Sequence, residues 1–346
     1  MDHARRLALV GLGAALAQCS VRRRPASAAG PVSLDEPTLI SGYTQLAARA
    51  RPAVLGLGVA LISPAVAWIS NPKARYPLQS TFKAFLAAAA LAQVDTGALK
   101  LNEPITLTDQ DLSPGGGFVD EAFPSPPAGH RITVAAADLI ALAVQHSDNT
   151  AADAIMKRLG GPAAVTAWLS GKGLADIRVD RYERELQVDL AGMPPFQPAW
   201  KDPRAWLAAR DAVPAAAREA ATERYLADPR DTATLPATLT FLVHLVRGEL
   251  LSPSSTRLLL RLMTDSATGA NRLKAGLPPD ASLAHKTGTA ATDLGLTPAT
   301  NDIGIATLPD GRRFAIAAYL AGSTATEADR DRLIADAARL AVSCVG

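Results

Sequence analysis

Between residues 80 and 94 the chain reads STFKAFLAAAALAQV, fifteen positions without proline or glycine and almost without polar side chains. A helix of this composition has no polar stripe to turn toward water, so other elements must enclose it on most sides. That requirement excludes a thin fold and calls for a sizeable core, which 346 residues at 48% hydrophobic content can supply. The one charged residue of the run is Lys83, three positions after Ser80. On a helix those positions share a face, which brings an amine within reach of a hydroxyl. A serine hydroxyl is a poor nucleophile until a base takes its proton, and a buried lysine is able to do so.

The rest of the composition narrows the classes. With 35 Lys and Arg against 33 Asp and Glu, the net charge is +2, and no basic block or stripe argues for nucleic acid. Two cysteines, Cys19 and Cys344, and five histidines without paired ligand spacing provide neither a disulfide framework nor a metal site. Arg5 and Arg6 precede an apolar run over residues 7–17, too short to span a bilayer and ordered like a secretory leader, with Ala26-Ser27-Ala28 as a cleavage site. Residues 1–28 are therefore expected to be a signal peptide of an exported, periplasmic or secreted protein. Leu16-Ala17-Gln18-Cys19 also resembles a lipoprotein box, so membrane contact is expected only if Cys19 is lipidated.

Two strands are expected over residues 52–70, and helices over 80–94, 133–145, 151–159 and 235–248. Strands return over residues 283–289, 303–308 and 314–320, and a last amphipathic helix runs over 325–342. Strands at both ends with helices between them imply an α/β (α+β) fold: an antiparallel sheet flanked by helices and completed by both ends of the chain, with an all-helical subdomain inserted. Residues 29–79 and 250–346 would form the sheet subdomain, and 80–249 the helical one. The cleft belongs where they meet.

Three short motifs occupy that frame. Ser80-x-x-Lys83 opens the apolar helix, Ser147-Asp148-Asn149 lies in a turn between helices, and Lys286-Thr287-Gly288 lies on the first C-terminal strand. The spacing alone is weak, since Ser70-Asn71-Pro72-Lys73 repeats it, but Pro72 biases Asn71 away from helix. In this order and on these elements the three resemble the signature of penicillin-recognising serine acyl-transferases. A fourth element, Arg181-Tyr182-Glu183-Arg184-Glu185-Leu186-Gln187, resembles the Ω-loop run of class A serine β-lactamases. Gln79 and His285 resemble positions of their extended-spectrum subgroup.

The resemblance implies a β-lactamase/transpeptidase-like fold and a set of roles. Ser80 attacks the lactam carbonyl, and the backbone N–H groups of Ser80 and Thr289 form the oxyanion hole. Lys83 and Glu183, the latter through water, compete for the role of acylation base, and Glu183 activates the deacylating water. Ser147 relays a proton to the ring nitrogen, with Lys286 beside it. Lys286 and Thr287, with Gly288 and Thr289, receive the substrate carboxylate, and Asn149 receives the acyl side-chain amide. Asp148 buttresses its turn. No cofactor and no metal are implied; the expected partner is a small β-lactam, and the expected state a monomer. The alternative reading is a D,D-peptidase or a penicillin-binding sensor, which acylates without fast turnover.

Departures from the pattern set further expectations. Gln187 replaces the usual Asn, and its extra methylene threatens the placement of the water. The interval from Glu183 to Lys286 is longer than the family's: an Ω-loop over 180–195 is followed by an insertion over 196–230, which carries Trp200, Trp206, Tyr225 and helical stretches near 203–211 and 214–226. Three roles stay open for it: a cap on the cleft, an extension of the Ω-loop, or an inert outer layer. Residues 290–299 lengthen the connection after the Lys-Thr-Gly strand. No arginine is marked as the carboxylate partner, and Arg330 on the last helix is the candidate.

Overall fold

A computed structural model describes residues 33–63, 66–115, 117–123 and 129–346. The expected leader, Cys19 included, lies outside the described residues, as do residues 64 and 65.

In chain order, α1 (Glu36–Ala50) leads into β1 (Val54–Leu61) and its short partner β2 (Ala67–Ile69). Strand β3 (Arg75–Pro77) delivers the chain to a 3-10 turn over Gln79–Thr81 and to α2 (Phe82–Asp95). The helical region follows with β4 (Pro104–Thr108), α3 (Gly117–Glu121), β5 (Arg131–Ala135), α4 (Ala136–Ala141), α5 (Asn149–Leu159), α6 (Pro162–Gly171) and α7 (Glu183–Leu190). Then come α8 (Pro203–Asp211), α9 (Ala215–Ala227), β6 (Thr232–Thr234), α10 (Leu235–Arg247), α11 (Pro253–Thr264) and α12 (Leu273–Gly276). Strands β7 (Ser282–Thr289), β8 (Thr297–Thr307) and β9 (Arg313–Ser323) and helix α13 (Glu327–Cys344) complete the chain.

The main sheet runs in the order β2-β1-β9-β8-β7, antiparallel throughout. Alternation assigns its faces. Leu55, Leu57, Val59 and Leu61 of β1 and Phe314, Ile316, Ala318 and Leu320 of β9 face α1 and α13, where Leu39, Leu46, Ile334 and Ala338 meet them. Ala315, Ala317 and Tyr319 face the helical side. There the glycines of β1 alternate with its leucines for a steric reason: a Cβ at Gly56 would lie 2.4 Å from the Tyr76 ring.

Helix α2 is enclosed as its composition requires, with Phe82 through Leu91 all buried. Phe85 meets Phe241 of α10 edge to face, with ring centroids 4.6 Å apart. Burying such a ring is worth roughly 1.5–3 kcal/mol.

Two expectations need correction. Residues 133–135, read as the start of a helix, belong to β5, which pairs with β4 and sets Thr133 opposite Thr106. The β-branched Ile132, Thr133 and Val134 favour a strand, and the helix starts only at Ala136. The long connection over 290–299 is shorter than expected, because β8 begins at Thr297, and Ala290 N–H already donates to the Ala299 carbonyl at 2.9 Å.

Candidate active site

Ser80 lies in the tight turn before α2, and its hydroxyl is 3.0 Å from Lys83 Nζ. It is also 3.4 Å from Glu183 Oε1, which it reaches as a donor. Lys83 is fully buried and closes an ion pair with Glu183 at 3.2 Å, the carboxylate side chain being 1% exposed. The Ser147 carbonyl at 2.7 Å and Asn149 Oδ1 also lie within hydrogen-bonding reach of Lys83 Nζ. A hydroxyl, an amine and a carboxylate therefore meet at one point, although Ser80 and Glu183 stand 103 positions apart in the chain.

Helix α4 continues into a π-helical turn, and at its end Ser147 takes a left-handed backbone with φ 59°. Asp148 fixes this turn by accepting from Ala151 N–H at 2.8 Å and Val119 N–H at 3.0 Å, which caps α5. The Ser147 hydroxyl faces two amines, accepting from Lys286 Nζ at 3.1 Å and lying 3.4 Å from Lys83 Nζ. Burial, aided by the neighbouring Lys83 charge, pushes Lys286 well below the usual lysine range. Asn149 donates to the Pro114 carbonyl at 2.5 Å.

Strand β7 passes directly over the Ser80 turn. A Cβ at Gly288 would lie 2.5 Å from the Leu78 carbonyl oxygen and 3.0 Å from the Thr81 nitrogen, so only glycine permits this approach. It brings Thr289 to the cleft of about 670 Å³ that Ser80, Asn149 and Gln187 also line. Thr287 shares a 2.7 Å hydrogen bond with Thr268.

Arg330 is not brought to this cleft. It is buried beside Thr300, donating to that hydroxyl at 2.9 Å and to the Ala325 carbonyl at 2.6 Å. The arginine at the cleft is Arg272, which donates to Thr289 Oγ1 at 2.8 Å and is steadied by Asp331 at 2.7 Å. It shares a concavity with Ser80, Ser147, Thr287 and Thr289. Nothing in the local sequence singles it out, because the loop before α12 gains meaning only when packed against β7.

The segment that carries Glu183 is tied at both ends. Arg181 pairs with Asp231 at 2.6 Å, and Asp231 also accepts from the Asp180 and Arg181 N–H groups at 2.7 and 3.1 Å. The extra residues thus lie inside the loop that this pair closes. Below Glu183, Asp153 accepts the N–H of Glu183 at 2.7 Å, that of Arg184 at 3.1 Å and the Ser113 hydroxyl at 2.5 Å. Burial raises the Asp153 carboxyl to about 7, and the Glu183 charge adds to the effect. Its spacing of four from Asn149 on α5 was a usable signal for a shared face.

The inserted residues reach the cleft. Trp200 and Trp206, 6.2 Å apart and edge to face, line it together with Lys201. Lys201 crosses to the opposite rim and donates to the carbonyls of Asp120 and Phe123 at 3.0 and 2.8 Å. Helix α9 packs under α7, where Tyr225 joins Leu186, Leu190, Ala290 and Ala299 in a small apolar cluster. Gln187 donates to Glu183 Oε2 at 2.9 Å.

Among the described residues no group of side chains is arranged to hold a metal ion, and no helix is long and apolar enough to cross a membrane.

Comparison with known proteins places the chain in a family. The model of the β-lactamase enzyme family matches residues 59–345. The chain is 29% identical to β-lactamase VEB-1 of Pseudomonas aeruginosa over 271 residues, 78% of each chain. It is likewise 29% identical to the extended-spectrum β-lactamase PER-1 of the same organism over 272 residues, covering 78% of this chain and 76% of that one. The solved structure of an ancestral class A β-lactamase superposes with a TM-score of 0.70 at 31% identity, covering 88% of this chain and 99% of that one. This chain belongs to the β-lactamase enzyme family, in its class A branch.

Proposed function

We propose that the protein is an exported serine β-lactamase that opens the lactam amide through an acyl-enzyme on Ser80 and releases it with water activated by Glu183. The observation that carries this reading is the meeting of Ser80 Oγ, Lys83 Nζ and Glu183 Oε1 within 3.4 Å of one another. Attack by the Ser80 oxygen on the carbonyl forms an ester, and the hydroxyl proton passes to Lys83 or, through water, to Glu183. The lactam C–N bond breaks as the Ser147 hydroxyl hands its proton to the ring nitrogen and recovers one from the amines on either side of it. Glu183, having returned any proton taken in acylation to Lys83 at 3.2 Å, takes one from a water that attacks the ester, and passes it to the Ser80 oxygen as the ester C–O bond breaks.

The developing oxyanion belongs between the N–H groups of Ser80 and Thr289, a reading supported by the close passage of Gly288 over the Ser80 turn. Thr287, Thr289 and Arg272 suit the substrate carboxylate, Arg272 taking the place first expected of Arg330. The Asn149 side chain, at the edge of the cleft, suits the acyl side-chain amide. Export is supported by the order of charge, apolar run and small residues over residues 5–28.

Intact-mass measurement during reaction with a penicillin tests the reading. The parent should show a transient adduct on Ser80 with turnover, and Glu183→Gln should accumulate it, slowing release about a hundredfold or more. An adduct that persists for hours in the parent would instead identify a D,D-peptidase or sensor. Unchanged turnover in Glu183→Gln would remove Glu183 from its role.

A further inference from the structure

Gln79, the residue before the nucleophile, adopts a left-handed backbone with φ 46°, a conformation that costs a non-glycine residue energy unless its surroundings impose it. Its side chain is 1% exposed, and both ends of the amide are engaged. Nε2 donates to the Tyr225 hydroxyl at 2.6 Å, and Oε1 accepts from Gln187 Nε2 at 3.4 Å. The same Gln187 nitrogen carries a second hydrogen, which it gives to Glu183 Oε2 at 2.9 Å. The other oxygen of Glu183 faces Ser80 and Lys83. A continuous chain of hydrogen bonds therefore runs from a tyrosine of the inserted helix α9 to the carboxylate beside the nucleophile.

We infer that Tyr225 is a positioning residue for deacylation: its hydroxyl anchors Gln79, Gln79 seats the Gln187 amide, and Gln187 orients the Glu183 carboxylate that prepares the water. The inference rests on the proposed role of Glu183. It accounts for two departures from the family pattern together. The longer arm of Gln187, compared with asparagine, is taken up by a partner on its far side, and that partner is held by a residue the insertion supplies. Burial raises the Tyr225 phenol above its ordinary value, so the hydroxyl stays protonated while it accepts from Gln79. The ring packs against Leu186 and Leu190 of the helix that carries Glu183 and Gln187, which ties the anchor to the same element it serves.

With Lys83 as the acylation base, which its direct reach to Ser80 favours, acylation does not need this chain in the same degree. The two half-reactions should therefore separate. Tyr225→Phe keeps the ring and removes the oxygen. Rapid-mixing kinetics with a penicillin, read by intact mass, should give acylation within about twofold of the parent, deacylation slower by about tenfold, and an accumulating Ser80 adduct. Gln79→Met breaks the same link from its other side and should give the same split. A double variant with Gln187→Ala should deacylate no more slowly than Gln187→Ala alone, since both changes cut one path.

Deacylation that is unchanged in both single variants overturns the inference. So do equal losses in the two half-reactions, or a loss that adds to that of Gln187→Ala. A parent that forms no Ser80 adduct removes the acyl-enzyme reading and this inference with it; a parent that turns over while the variants match it removes the inference alone.

Discussion

The nucleophile and the carboxylate reach the same point by different physical means. Ser80 and Lys83 sit at the start of α2, whose residues from Phe82 to Leu91 are buried in apolar packing on every side. Glu183 sits in a loop closed by Arg181 and Asp231 and fastened from below by Asp153, which accepts two of its backbone N–H groups. Apolar packing is dense and indifferent to pH, so the first half of the site depends on volume. Hydrogen bonds and ion pairs depend on geometry and protonation, so the second half depends on charge state and orientation. Loss on the first side should appear as lost stability, and loss on the second as altered chemistry or altered response to pH.

Phe85→Ala tests the first side most severely. Removing the ring that meets Phe241 should cost about 3–5 kcal/mol in denaturant unfolding, with the ratio of acylation to deacylation rates unchanged while the protein is folded. A shifted ratio would mean that packing around α2 also sets the Glu183 side.

Asp153→Asn addresses the second side through pH. The folded-state carboxyl titrates near 7, against an ordinary value of 3.8, so the folded protein holds a proton that the unfolded chain has released. The associated stability is complete below about pH 4 and is lost as pH rises through 7. Asparagine cannot titrate, so its stability relative to the parent should improve by about 3 kcal/mol between pH 5 and pH 8. Parallel curves for the two proteins in thermal unfolding would show that the buried carboxyl is not raised.

The smallest effect is expected at the rim. Lys201→Ala cuts the link from the insertion to the Asp120 and Phe123 carbonyls and should cost about 1 kcal/mol or less in denaturant unfolding. A loss as large as that of Phe85→Ala would erase the distinction between packed and fastened halves.

Reading the sequence located the motif residues because each lies at a place where local rules are strict. The apolar run can only be an enclosed helix, Asp148 is a short acceptor suited to cap a helix, and the Lys-Thr-Gly strand alternates between two faces. Arg272 and Asp153 escaped because neither is unusual for its element, and Tyr225 was marked only as part of an insertion whose role stayed open. Arg272 is one arginine among many, and its meaning comes from packing against Thr289. Arg330 looked equally suitable on the last helix, but its side chain points to Thr300 instead. The start of the helix expected at residue 133 was misread because the alanines after position 135 masked a short run of β-branched residues, whose pairing partner, Thr106 opposite Thr133, lies 27 positions earlier.

Sequence alone determined which groups are available: a serine and a lysine one helical turn apart, a second serine in a turn, a lysine on a strand, and a carboxylate in a charged run. Those follow from local spacing, where a few bonds fix the distances. Tertiary structure alone decided that the carboxylate meets the hydroxyl, which arginine faces the cleft, and that the inserted helix reaches Gln79. Such contacts join residues on separate elements, 103 positions apart for Ser80 and Glu183 and 146 for Gln79 and Tyr225, and their distances are set by how whole elements pack, which no local pattern contains.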